Sequence, residues 1–136
     1  MSLFNKYFGD SNPKVTTEND VGWNTLTELK QLDEIVSQSF VKPVIIFKHS
    51  TRCGISRMAL RGFETDYSIP ADCATPYFLD LLRYREVSDE VARRFTVVHQ
   101  SPQVLVIRNS ASIFDASHGD IDALSLKDKI QQLRVE

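Results

Sequence analysis

Apolar and polar positions change their period several times along the chain, and each change marks an expected element. Residues 1–20, MSLFNKYFGDSNPKVTTEND, hold no sustained period and read as a peripheral segment, with the folded domain expected over residues 21–136. After a short VGWNTL stretch, Leu29, Leu32, Ile35 and Val36 recur at helical spacing, with Thr25 or Thr27 available as N-cap, which predicts a helix ending near Phe40. VIIF (44–47) is a continuous apolar run between Pro43 and the charged Lys48, as a strand covered on both faces requires, so it is expected at the centre of a sheet. From Gly54 the apolar positions Ile55, Met58, Ala59 and Phe63 make one stripe, predicting an amphipathic helix with that face in the core. YFLDLL (77–82) reads as a strand, and SDEVARRF (88–95) as a helix capped by Ser88 with acids in its first turn. Residues 103–107 and ASIFDA (111–116) are two β-prone runs about an Asn109-Ser110 turn, and SLKDKIQQLRV (125–135) closes the chain as a helix.

The resulting order, β-α-β-α-β-α-β-β-α, is that of an α/β layered domain, in which helices cover a central sheet. Composition agrees with one soluble globular domain: 136 residues, 42% hydrophobic and 25% charged, without repeats or low-complexity tracts. The formal charge of −2 offers no general attraction for nucleic acid or an anionic membrane. The start of the chain lacks the apolar region of a signal peptide and no stretch is long enough to span a bilayer, so a cytoplasmic protein is expected. Its two cysteines, Cys53 and Cys73, do not form a C-x-x-C pair.

Cys53 is the candidate for chemistry. It lies just past the expected central strand and at the first turn of the following helix, the end of an open α/β sheet where ligands collect. Extending the helical wheel back from Ile55 places it opposite the apolar stripe, on the side of Arg57, Leu60, Arg61 and Glu64, so an exposed thiol is expected. The thiolate is the nucleophilic form of cysteine, and a helix N-terminus and neighbouring cations favour it. Lys48, His49, Arg52, Arg57 and Arg61 supply such a cluster, with Arg52 adjacent to the thiol. A solvated helix face accounts equally well for Arg57 and Arg61.

A second block is HQSPQ (99–103), where Pro102 opens a strand and pushes Ser101 into extended conformation. Base rates alone favour a trans bond there. Taken together, a cysteine at a strand-to-helix junction and, about fifty residues later, a proline opening a hairpin strand resemble the thioredoxin fold. Within that fold, FKHSTRCGIS, HQSPQVLVI and SHGDI, in this order, resemble the monothiol bacilliredoxins of the bacillithiol system, over the span from about Trp23 to the last helix. Two positions depart from the usual motif: Gly54 follows the cysteine where proline is common, and Arg52 precedes it.

The resemblance implies a thioredoxin-like domain with a central mixed sheet, and a monothiol exchange protein that removes bacillithiol from protein mixed disulfides. It implies Cys53 as nucleophile, with Ser56 in the place that a second cysteine takes in dithiol relatives. The binding residues it implies are Thr51, Arg52, Gly54, Ile55, Ser56, Ser101 and Pro102, with Pro102 cis and facing Cys53 and the Ser101 backbone pairing with the substrate chain. The expected partners are bacillithiol-modified client proteins and a small thiol, with no nucleic acid, no membrane and a monomeric chain; bacillithiol is a co-substrate and no cofactor is implied. The residues themselves do not separate bacillithiol from glutathione or coenzyme A. A metal site is not expected, since His49, His99 and His118 show no ligand spacing with the cysteines. Cys73 reads as a loop or strand-edge thiol, with a resolving role open if the two thiols approach. Two other readings stand beside exchange: a carrier holding an iron–sulfur cluster through Cys53, and an interaction module that has kept the fold without the reactivity.

Overall fold

The buried strand that begins at Val44 continues two residues past its hydrophobic part, to His49, and this extension shapes the site. A computed structural model describes residues 21–135; the expectation for residues 1–20 lies outside the described residues. The strands are β1 (Asn24–Thr25), β2 (Val44–His49), β3 (Thr75–Asp80), β4 (Gln103–Arg108) and β5 (Ala111–Ser117). The helices are α1 (Lys30–Gln38), α2 (Gly54–Asp66), α3 (Arg85–Phe95) and α4 (Ala123–Val135). The sheet runs β1-β3-β2-β4-β5, with β3 parallel to β1 and β2, and β4 antiparallel to β2 and β5. This is the mixed sheet of the thioredoxin fold, and β2 is its central strand, buried from end to end.

Alternation along β2 sorts the core into two layers. Ile45 and Phe47 face Phe63 of α2, Tyr67 just past its end, and Leu126 and Ile130 of α4. Val44 and Ile46 face Leu32 and Ile35 of α1 and Val87, Val91 and Phe95 of α3. The first layer is aromatic: Phe47 and Phe63 lie 5.1 Å apart, and Trp23 packs on both at 5.9 and 6.0 Å. Burying such rings supplies much of the free energy of a small core. The β4–β5 hairpin turns on Asn109 and Ser110, both at positive φ, as a two-residue turn matching strand twist requires.

Four expectations need correction. The buried face of α2 carries Ser56 and Phe63, while Ile55 and Met58 are 62% and 76% exposed; the helix is rotated because a polar residue, Ser56, is taken into the interior. The cap of α1 is neither Thr25, which lies in β1, nor Thr27; the side chain of Gln31 instead accepts the N–H groups of Thr27 and Glu28 at 2.7 and 3.0 Å. Ser88 does not cap α3, which starts one turn earlier, and it is buried inside the helix. The third strand begins at Thr75 and ends at Asp80, not at residue 82.

Candidate active site

Strand β2 delivers the chain to the site and α2 takes it away. After His49, the loop Ser50–Arg52 turns so that the Cys53 N–H donates to the Ser50 carbonyl at 3.2 Å. Cys53 is the N-cap of α2, in extended conformation, with its carbonyl accepting the Arg57 N–H at 3.1 Å. The Cys53 side chain makes no capping hydrogen bond, so the first-turn N–H groups and their partial positive charge gather beside the thiol. Cys53 is half-buried, not fully exposed as the wheel predicts, because the true inner face of α2 runs through Ser56, three residues on.

Thr51, Arg52, Gly54 and Ile55 are exposed around it. The Arg57 guanidinium donates to the Thr51 carbonyl at 3.3 Å, so this arginine braces the loop. Thr51 and Arg52 border a shallow polar pocket of about 400 Å³, with Asp80 and Arg83 on its other side. At Gly54 a side chain would meet only the flexible end of Arg57, at 3.7 Å, so glycine is not required there by space.

Ser56 is fully buried and occupied: the Ser50 N–H donates to its Oγ at 3.0 Å, and that Oγ lies 2.8 Å from His49 Nδ1. Burial lowers the His49 pKa below the ordinary imidazole value; Asp80 and Glu64 pull it upward, while Arg57 adds to the lowering. The imidazole is therefore neutral near pH 7, and it joins the end of β2 to the first turn of α2. Lys48, read from sequence as part of a surface cationic cluster, is instead wholly buried on the opposite face of the sheet. Continuing the alternation of Val44 and Ile46 by one step finds it. The His49–Ser56 contact carries no comparable sequence signal, since it depends on how α2 is rotated.

Ser101 and Pro102 reach the same end of the sheet. Gln103 pairs with Lys48 across β2 and β4, which brings the preceding proline level with the end of β2, where the Cys53 loop departs. The Ser101–Pro102 peptide bond is cis, Pro102 is buried, and its carbonyl accepts the His118 N–H at 3.1 Å. SHGDI is thereby drawn to the site as well. His118 and Gly119 form one wall of a groove of about 370 Å³ whose other wall is Ile55, Met58 and Ala59 of α2.

Cys73 lies elsewhere. It is buried just ahead of β3, whose first residue, Thr75, pairs in parallel with Val44 at the far end of β2. Six residues of strand separate that end from the Cys53 loop, about 17 Å at roughly 3.3 Å per residue, well past the ~7 Å limit for a disulfide. No disulfide joins Cys53 and Cys73. Among the described residues no group of three or more His, Cys, Asp or Glu side chains is placed to hold a metal ion, and no helix is long and apolar enough to cross a membrane.

Comparison with solved structures agrees with this architecture. A proposed oxidoreductase with a thioredoxin fold is 28% identical with a TM-score of 0.65, covering 79% of this chain and 91% of its own. The Malassezia sympodialis thioredoxin Mala s 13 is 20% identical with a TM-score of 0.64, over 89% and 97% of the two chains. The thioredoxin of Trypanosoma brucei brucei, 13% identical, gives a TM-score of 0.64 over 90% and 100%. These last two speak to the fold alone. The family model for the monothiol bacilliredoxin BrxC matches residues 24–126, three quarters of the chain and every block described above, and the protein belongs to that family of thiol redox proteins.

Proposed function

We propose that the protein is a monothiol thiol–disulfide exchange protein that removes bacillithiol from protein mixed disulfides, with Cys53 as the nucleophile. The observation that carries this reading is the placing of Cys53. It is the N-cap residue of α2, without a side-chain capping bond, at the sheet end that also holds Ser101 and Pro102, while the other cysteine lies at the opposite end of β2.

The exchange runs in two displacements. The Cys53 thiolate attacks the bacillithiol sulfur of the mixed disulfide; the new S–S bond forms on Cys53 as the old one breaks, and the client cysteine leaves as its thiolate. A second bacillithiol thiolate, or an external reductase, then attacks the Cys53 adduct and restores the free thiol, the electron pair passing to the departing Cys53 sulfur. Ser56 has no second sulfur to offer, so the protein does not resolve its own adduct.

Arg52, exposed beside the thiol and bordering the polar pocket, suits the carboxylates of the small thiol. Thr51, Gly54 and Ile55 line the approach, Ser56 holds the loop from beneath, and the Ser101 backbone beside Pro102 pairs with the client chain. The protein acts as a monomer without a cofactor. A client peptide carrying a bacillithiol disulfide tests the proposal: bacillithiol should move to wild-type protein and to Cys73→Ser, but not to Cys53→Ser. Transfer that survives in Cys53→Ser would end it.

A further inference from the structure

Lys48 and Gln103 are buried polar residues that the exchange chemistry does not use. They are direct cross-strand partners between β2 and β4, so their side chains leave the same face of the sheet, the one covered by α1 and α3. Lys48 is wholly buried, and among the described residues its Nζ has no hydrogen-bond partner. Gln103 Oε1, Ser88 Oγ on α3 and Ser101 Oγ are buried and unpartnered in the same way. Together they offer an ammonium with three donors, a carboxamide acceptor and two hydroxyls of either sense. Buried polar groups left in this condition are uncommon, and each calls for a partner. Gln103 also donates through Nε2 to the Val98 carbonyl at 3.0 Å, so its amide already holds the connection from α3 to β4, the segment that carries Ser101 and Pro102.

We propose that Lys48, Gln103, Ser88 and Ser101 bind one internal water that ties the Lys48 ammonium to the Ser101–Pro102 segment, making Lys48 a positioning residue for the substrate chain that this segment receives. Internal waters take about three hydrogen bonds from buried groups that lack other partners, and this site supplies that number and the right mixture of donors and acceptor. The effect on substrate rests on the exchange reading above; the linkage itself does not.

The linkage responds to pH. Lys48 interacts with Asp89 of α3 and with His99 of the α3–β4 connection, which in turn feels Arg85 of α3, while its β3 neighbour, Leu79, is apolar. Burial lowers the Lys48 pKa to about 8, against the pull of Asp89. The His99 pKa is lowered from the usual imidazole value by burial, with Lys48 and Arg85 adding to the lowering and Asp89 opposing it, so His99 is neutral where Lys48 titrates. Loss of the Lys48 proton removes the charge that orders the bridge.

Nuclear magnetic resonance of the full labelled chain between pH 6 and 9.5 tests this directly. Backbone amides from Val98 to Gln103 should shift with one midpoint, shared with the Lys48 side chain, and the Gln103 side-chain amide should show a cross-relaxation peak to a bound water. Lys48→Met should abolish both the shift and the peak, and His99→Gln should preserve them. Amides that stay still through the Lys48 titration, or that still move in Lys48→Met, overturn the proposal. Gln103→Leu is the second variant if Lys48→Met does not fold, and it must lose the same coupling.

The functional arm compares client exchange with alkylation of Cys53 by iodoacetamide, which needs no client chain. Lys48→Met should lose client exchange several-fold at pH 7 with alkylation unchanged, and Lys48→Arg should restore it. Equal loss of both rates contradicts positioning. Should wild type fail to exchange at all, the functional reading falls while the resonance result still decides the linkage.

Discussion

Lys48 and His49 are neighbours in sequence, yet the pleat of β2 sends them into different interiors, and the two interiors solve the same problem differently. On the α2 side, His49 is neutral and meets Ser56, which in turn accepts the Ser50 N–H; the surrounding packing is aromatic, with Trp23, Phe47 and Phe63 in contact. On the α3 side the packing is mainly aliphatic, and among the described residues the buried Lys48 ammonium and the Oε1 of its cross-strand partner Gln103 have no hydrogen-bond partner. The closed side fixes the loop that presents Cys53. The open side carries an ionised group at a cost in stability, which a well-packed apolar residue would avoid.

The contrast yields predictions of decreasing size. Phe63→Ala, which opens the aromatic side, should cost about 3–5 kcal/mol in urea unfolding. On the other side Lys48→Met should raise stability at pH 7 by roughly 1–3 kcal/mol, because the methionine has no charge to desolvate. The pH dependence has a definite sign. The folded-state pKa of Lys48, about 8, lies below the ordinary 10.5. Over that window the unfolded chain holds more protons, so wild-type stability should rise with pH and the advantage of Lys48→Met should shrink. Loss of stability in Lys48→Met at every pH would contradict the contrast.

Smaller effects sharpen it. Ser56→Ala leaves the buried Ser50 N–H without its acceptor and should cost about 1–3 kcal/mol in the same unfolding assay. A Ser56→Ala protein as stable as wild type would mean that the closed side is not held as described. Gly54→Ala meets only ordinary contact with Arg57 and should change stability by less than about 1 kcal/mol, with a gain as the expected direction. A large loss there would show that the thiol loop depends on glycine.

Much of the fold is legible in the sequence because it rests on strong local signals. VIIF marks the central strand, Asn109-Ser110 marks the hairpin, and the SP pair, Cys53 and SHGDI fall in an order that resembles the family to which the chain belongs. The rotation of α2 is not legible. Ile55 and Met58 are apolar but border a surface groove, while Ser56 is polar but buried, so hydrophobicity points the helix the wrong way. Ser88 misleads for the same reason: a serine before an acidic turn looks like a cap, and here it is buried inside a helix. Lys48 is read as a strand boundary because its charge outweighs its place in the alternation. In each case a polar residue sits in the interior, where hydrophobicity alone does not place it.

Intact mass after exposure to oxidised bacillithiol, with oxidised glutathione in parallel and with Cys53→Ser and Cys73→Ser alongside wild type, is the most direct test of the claim that Cys53 alone carries the exchange. The account predicts a single bacillithiol adduct on wild type and on Cys73→Ser, and none on Cys53→Ser. An unmodified Cys53 with either small thiol, or an adduct that requires Cys73, would contradict it.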